Sequence, residues 1–409
     1  MDGRGLAEAA LANGDVTGAL RAAREHLRRA GRAAEPVCYP LLAPEHAGQS
    51  PRARLTAYWE DAEVVSTAQL MPGMMQFAEW AAAFRPRPLR RFLLEQCVAL
   101  APNVLLTAAG DLLDDSTGFS NSELCRHVVE GFPGIAAANG QIILGTHHTE
   151  TVRIAQPAVY LPAAANYSAW LLGDLARLVA FVDCDGLPVV LHGEASEFHF
   201  ASLARLGVPR DRVIACGSQS RLECRELHYC TSTYFHHTPS SRGLAHVRSR
   251  VLTDAHDARA GPSRLYLARR KMRNSRPILN EAELAELLAG CGFIAVDPEE
   301  HSFAQQVRLA AGAETIAGPY GANLANCVFA RNARAALIVA TKGQPEFSRL
   351  LSALAVPHWH VVAEPVKIGD GRTFSESHGF RVDLAAAETI LRACVVGQVT
   401  AASQRSRQT

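Results

Sequence analysis

Between Arg264 and Arg276 the chain places five arginines, together with Lys271 and Asn274. Guanidinium forks match the oxygens of phosphate, and the helix expected next would add free N–H groups, so this composition suits phosphate binding. A solvated basic turn is the competing reading. Further on, the stretch GPYGANLAN, residues 318 to 326, follows the apolar run Thr315-Ile316-Ala317 and precedes a second one from Ala335 to Ala340. Gly318 and Gly321 would let the backbone approach a ligand closely, while Ala322, Asn323, Asn326 and Tyr320 offer amides and a hydroxyl to a ribose, base or diphosphate. Taken alone, a glycine-rich turn specifies little.

Carboxylates and imidazoles elsewhere could move a proton. Asp174 lies in YSAWLLGDLARLVAF, where Tyr167, Leu171, Leu175 and Leu178 share its helical face and Asn166 is placed to cap the start. His192 and Glu194 follow the run LPVVL at its expected carboxyl end, where an acceptor group is expected. Either set can equally be satisfied structural residues. His147-His148 and His236-His237 lack the company of other metal ligands. Asp183-x-Asp185 after an apolar run could hold Mg²⁺ or Mn²⁺ on a donor diphosphate, but it also precedes Gly-Leu-Pro, as a turn would.

These residues need elements to hold them. Residues 6–30 predict two short helices broken at Asn13-Gly14-Asp15, a cap on the main body or a contact for a homodimer or assembly partner. From about 50 to 245 the runs ARLTAYW, CVALAPNVLLTA, QIILGT, PAVYLPA, LPVVLHG and DRVIACG alternate with helical patterns in a β-α-β rhythm. In the second half SRLYLAR, FIAVDP, ETIAG and HWHVVAE are strands, separated by helices from Asn280, with Glu283 at the capping-box position, and from Ser302 with Gln305. The boundary is expected in the polar stretch 241–263, so the divisions are 1–45, 46–250 and 251–409. Two open α/β domains would place a ligand at the carboxyl ends of their strands.

With 409 residues, 48% hydrophobic and 20% charged, the chain is a globular protein of about two domains. A net charge of +1 gives no basic field for nucleic acid. No apolar run approaches the ~20 residues of a membrane helix, and MDGRGLAEAALANGD has no basic start or apolar core. With ten cysteines and no CxxC pair, the expectation is a reduced, cytoplasmic setting, with possible peripheral contact to an inner membrane.

The blocks RLYLARRKMRNSRPILNEAELAELLAGCGF and HSFAQQVRLAAGAETIAGPYGANLANCVFA resemble the C-terminal half of glycosyltransferase family 61, with its "R-x-Y-[IL]-x-R" and "G-P-H-G-A-G-L-x-N" blocks. NYSAWLLGDLARL is similar, more loosely, to that family's "N-Y-x-H-W" block. The resemblance implies an α/β fold of GT-B type, two Rossmann-like doubly wound domains facing a cleft, beyond a short helical extension. It implies an inverting, metal-independent transfer from a nucleotide-diphosphate sugar, a UDP-sugar first among them, to a glycan or other hydroxyl acceptor in bacterial surface polysaccharide assembly. No tightly bound cofactor is implied. Arg269, Arg273 and Arg276 would contact the phosphates, and Gly318, Gly321, Ala322, Asn323 and Asn326 would line the nucleotide; Asp174, His192, Glu194 and Tyr320 are the candidates for catalysis. The family's histidines are Ala169 and Tyr320 here, its second glycine is Asn323, and Ala340-Thr341 stands where an acidic residue is usual. Those departures leave open a transferase with a different donor or a catalytically silent nucleotide-sugar binder or partner subunit; independently of them, Asp183-x-Asp185 keeps a metal-dependent GT-A enzyme as an alternative.

Overall fold

A computed structural model describes residues 2–70, 79–115, 118–126, 132–253, 261–270, 276–340, 345–370 and 377–405. The chain divides into two compact units, Met1–Glu60 with Arg87–His236, and Asp61–Pro86 with His237–Thr409. The second unit thus takes in 61–86, which the sequence reading placed in the first domain, and the stretch expected as a linker forms its helix Ser241–Val251.

In the first unit, helices Gly3–Ala12 and Val16–Arg29 break where Asn13-Gly14-Asp15 predicts, and Asp2 and Asp15 cap them by accepting from the N–H groups of Gly5 and Gly18. Small residues at helical spacing, Ala7, Leu11, Ala19 and Ala23, together with Leu27, bury against Ile135, Ala136 and Ile143. Arg4 ties this pair of helices to the carbonyls of Cys125, Gly134 and Ile135. Their apolar side is therefore used within the unit, as a cap.

The sheet beneath differs from the expected β-α-β rhythm. Among the described residues it has twelve strands, ten of them in the order Val213–Cys216, Val189–His192, Ala158–Pro162, Ser220–Cys230, Leu89–Ala101, Val104–Leu106, Leu112–Leu113, Val37–Leu42, Gln141–Leu144, Gly134–Ala138. Only the end containing Ala158–Pro162, Val189–His192 and Val213–Cys216 is parallel with helical crossovers. Beyond that end the pairing is mixed: Ser220–Cys230 lies antiparallel to the sequence-distant Leu89–Ala101, left-handed Asn103 (φ +62°) and Asn139 (φ +49°) close direct antiparallel hairpins, and Val37–Leu42 runs parallel to Leu112–Leu113. The first unit is thus a mixed sheet and not a doubly wound domain. Strand Ser220–Cys230 escaped the sequence reading because SRLECRELHYC carries five charged or imidazole side chains, yet Leu222, Cys224, Leu227 and Tyr229 are buried.

The helix expected over 167–181 forms, capped by Asn166 as predicted, but its middle turn Trp170–Asp174 is π-helical and Leu175–Phe181 is 3₁₀. Trp170 packs in the core and donates Nε1–H to Ser202 Oγ at 2.9 Å. Beneath it, wholly buried Arg177 donates to the carbonyls of Gly173 and Cys230 and to Asn103 Oδ1, at 2.8–3.0 Å, and lies 3.5 Å from Asp174. Asp115, equally buried, accepts from Arg87, the Tyr229 hydroxyl and the Ser232 N–H. A buried cation and buried carboxylates tolerate this only because each has several partners.

The second unit is doubly wound. Its strands run Ile294–Val296, Arg264–Leu267, Thr315–Pro319, Ala335–Ala340, His358–Lys367, His378–Val382, all parallel except the last. Helices Glu281–Gly290, Phe303–Ala311, Glu346–Ala353 and Leu384–Arg405 flank them, and Leu284, Leu288, Phe293, Leu337, Val361 and Leu391 share one core. The Ser302–Gln305 capping box is present as expected. Asn280 differs: its side chain pairs with both backbone groups of Val382 and does not cap the helix, so the antiparallel edge strand replaces the N-cap role. Among the described residues no helix is long and apolar enough to cross a membrane, and all ten cysteines are free.

Replacing Asp115 by Ala should cost about 3 kcal/mol or more, because Arg87 loses its buried ion pair and Ser232 its acceptor. Urea unfolding of Asp115→Ala against the unaltered chain measures it; a loss under about 0.5 kcal/mol, the range of ordinary surface changes, would refute the account.

Candidate functional site

In the second unit the first strand, Arg264–Leu267, leads outward to the edge strand Ile294–Val296, whereas its other neighbour, Thr315–Pro319, leads the opposite way to Ala335–Ala340. Their two following loops therefore diverge at the carboxyl edge, the switch point where open α/β sheets hold ligands. The arginine loop and the glycine block are those two loops.

Arg269 joins them. Its backbone N–H donates to buried Glu281 Oε1 at 3.0 Å, and the Tyr266 hydroxyl donates to the same oxygen at 2.9 Å. Its side chain crosses to the other loop, where Nη1 donates to the Tyr320 carbonyl at 2.9 Å. A Cβ on Gly321 would stand 2.6 Å from that same Nη1, so a side chain there would make the guanidinium shift. Gly318 has a different reason: it lies inside the strand, and a Cβ would come within 3.2 Å of the Leu267 carbonyl. Both glycines thus make room for protein atoms.

Arg276, at a left-handed φ of +53°, places its guanidinium 5.5 Å from the centre of the Tyr320 ring. Its Nη1 is buried and has no hydrogen-bond partner. Burial lowers the pKa of both Arg269 and Arg276, and Arg276 lowers that of Arg269 further by repulsion. Two partly desolvated cations side by side, one with an unmatched donor, have the charge and the free N–H that a dianion would complete. Arg273 lies outside the described residues. Ala322 opens the 3₁₀ helix Ala322–Phe329 directly after Gly321. Asn323 donates to the Ala268 carbonyl and Glu299, and Asn326 donates to Gln306 and the Asn323 carbonyl. Those two amides brace the loops.

Tyr320 donates its hydroxyl to Glu346 Oε2 at 2.6 Å, and His237 Nδ1 lies 3.9 Å from that oxygen. Burial, then the charge of Glu346, raises the phenol's pKa, so Tyr320 keeps its proton and is a donor, not a base. Glu346, Glu281 and Asp297, which pairs with Arg270 at 2.6 Å, were not singled out from the sequence. Glu346 stands at the start of the helix after Ala335–Ala340 and offers its carboxylate to Tyr320. The only sequence signal was an acidic residue in the first turn of an expected helix.

In the first unit the candidates separate. Asp174 is wholly buried beside Arg177, and its Oδ2 accepts from the Ala164 N–H at 3.2 Å. His192 is also buried: Nδ1 meets the Tyr160 hydroxyl and Nε2 the Ser220 carbonyl, each at 3.0 Å, and burial pushes its pKa down to about 4. Both are internal residues held by protein partners. Glu194 is exposed at the strand end; Oε1 accepts from Ser218 N–H and Oγ, bonds that lower its pKa. Gly193 (φ +140°) makes the preceding turn against the Ala163 carbonyl. The Asp183-x-Asp185 pair is divided between arginines: Arg91 grips Asp183, and Arg212 reaches Asp185 at 3.2 Å. Carboxylates neutralised on separate partners do not form a shared cation site.

The family model Glycosyltransferase 61 matches residues 92–337. The chain belongs to glycosyltransferase family 61. The matched span of this glycosyltransferase contains both switch-point loops and Glu194, and begins beyond the helical cap. No curated protein matches the sequence.

Buried neutral His192 makes this family 61 chain acid-sensitive. Its folded pKa near 4 lies below the unfolded value near 6.5, so the group costs nothing above pH 6.5; as pH falls towards 4 only the unfolded chain takes the proton, and up to about 3 kcal/mol of stability is lost. His192→Gln should flatten the dependence of unfolding free energy on pH across that window; an unchanged slope would contradict it.

Proposed function

We propose that this family 61 glycosyltransferase binds a nucleotide-diphosphate sugar at the switch point of its second unit, a UDP-sugar first among the donors. The observation that carries the reading is the buried, unpartnered Arg276 Nη1 beside Arg269 on a loop that Gly321 keeps open. Arg269 and Arg276, with Arg273 on the same loop, would neutralise the diphosphate as it leaves. The Ala322 end of the 3₁₀ helix would face the nucleotide, and the carboxylate of Glu346, oriented by Tyr320, would accept from ribose hydroxyls.

The transfer is a single displacement. An acceptor hydroxyl oxygen bonds to the anomeric carbon, the bond from that carbon to the diphosphate oxygen breaks, and the electron pair leaves with the nucleoside diphosphate. Attack from the opposite face inverts the anomeric centre. The acceptor proton goes to a base, for which we assign Glu194, the exposed one of the four catalytic candidates. In this reading the positive charge comes from arginine, so turnover needs no divalent metal. The GT-B arrangement, a cytoplasmic location and a role in surface polysaccharide assembly belong to the same proposal. A homodimer or partner contact through residues 6–30 would have to use the faces that Ala7, Leu11, Ala19, Ala23 and Leu27 leave free, where Leu6 is exposed.

Calorimetric titration with UDP in the presence of a chelator tests this. Binding should be saturable and weaken about tenfold or more in Arg276→Ala, the loss of one charge-assisted contact, while the thermal transition stays near that of the unaltered chain. Undiminished binding in the variant would remove Arg276 from the donor site. Binding that requires Mn²⁺ and is lost in Asp183→Asn would favour the GT-A reading instead.

A further inference from the structure

The first unit contains a cavity of about 580 Å³ whose walls come from the helical cap and from strand ends of the sheet. This volume lies within the range typical of small-molecule sites. Arg32 enters it from the segment after helix Val16–Arg29, Thr146 and His147 from the end of strand Gln141–Leu144, and Ser218 from the turn before Ser220–Cys230. Leu100 and Ala101 supply an apolar side.

The cap is built to deliver Arg32 there. Gly31, at φ +66°, ends the helix, and the Arg32 N–H turns back to the Leu27 carbonyl at 3.0 Å. Leu27 in turn sits on Gly145, where a Cβ would stand 3.0 Å from Leu27 Cδ1. Helix and cavity floor are therefore in direct register. Among the described residues Arg32 has no ion pair and no side-chain hydrogen bond, while Ser218 is held in place by Glu194. An apolar side, a hydroxyl-bearing rim and one unmatched guanidinium suit a pyranose ring with a C–H face, hydroxyl edges and an oxyanion substituent.

We infer that this cavity binds an acidic sugar, bearing a carboxylate or a phosphate, and that the N-terminal cap completes the site through Arg32. Residues 32–34 lie outside the 92–337 span that the family model matches. Calling the occupant the acceptor rests on the reading above, because Glu194, assigned as the base, is one hydrogen bond from the cavity wall at Ser218. The binding itself does not depend on that reading.

The full chain is titrated separately with glucuronate, glucose 6-phosphate, glucose, inorganic phosphate and UDP. Either acidic sugar should bind to saturation and roughly tenfold more tightly than glucose. Arg32→Ala, an exposed position that should not disturb folding, should reduce that affinity to the level of glucose; Thr146→Trp, which fills the cavity, should abolish binding of both; UDP affinity should not change in either. A carboxylate source and a phosphate source are told apart by which acidic sugar binds. The inference fails if neither acidic sugar saturates, if both variants bind them as before, or if inorganic phosphate binds as tightly as the sugars, which would leave only an anion site. Acidic-sugar binding of this pattern without UDP binding would sink the donor reading and leave the cavity assignment standing; UDP binding without it would do the reverse.

Discussion

The packing of the Arg269 guanidinium against Gly321 is the contact that joins the two switch-point loops of the second unit. One side chain spans two loops that the strand order drives apart, bonding the Tyr320 carbonyl at 2.9 Å while buried Glu281 holds the loop's own backbone. Without a Cβ at Gly321 the two loops can share this cation; with one, the guanidinium would have to move. Arg276 then finds its place over Tyr320, and Tyr320 is oriented by Glu346. Gly321, Arg269, Tyr320, Arg276 and Glu346 thus form one connected set of contacts.

Charge is handled differently in the two units. In the first, buried Arg177 and Asp115 are each surrounded by three or more partners, so their charge is consumed in joining helix, strand and hairpin. At the switch point of the second, Arg276 keeps a buried donor unmatched. A saturated ion network stabilises a unique core, whereas an unsatisfied buried donor is tolerated most readily where a ligand can complete it. That contrast makes Asp174 and Arg177 parts of the architecture and leaves Arg276 with a buried donor that the protein itself does not complete.

Holding two guanidinium groups together at the switch point carries a cost in desolvation. Burial lowers the proton affinity of both guanidinium groups, yet arginine begins so high that it stays a cation where a lysine could lose its proton. With only Lys271, Lys342 and Lys367 in the chain, arginine carries nearly all the positive charge, and four arginines fall between 269 and 276.

Local pattern was enough for elements whose cause is local. The break at Asn13-Gly14-Asp15, the Asn166 cap, the Ser302–Gln305 box and the parallel strands of the second half follow from turn residues, capping geometry and apolar period, and family 61 membership was legible in the arginine and glycine blocks. The mixed sheet of the first unit was not legible, because whether two neighbouring runs pair directly or cross over is decided by hairpin closure and by distant partners. Strand Ser220–Cys230 looks polar until Leu89–Ala101 lies against it. The fates of Asp174 and His192 were hidden for the same reason: Arg177, Tyr160 and Ser220 reach them only through tertiary packing, and a carboxylate or imidazole reads identically in sequence whether it faces solvent or a buried partner. Glu346 and Arg32 became visible only when the fold set one beside Tyr320 and the other at a cavity. The sequence by itself determined which groups were present and which short segments would coil or extend; the tertiary structure alone decided which of their charges were already spent.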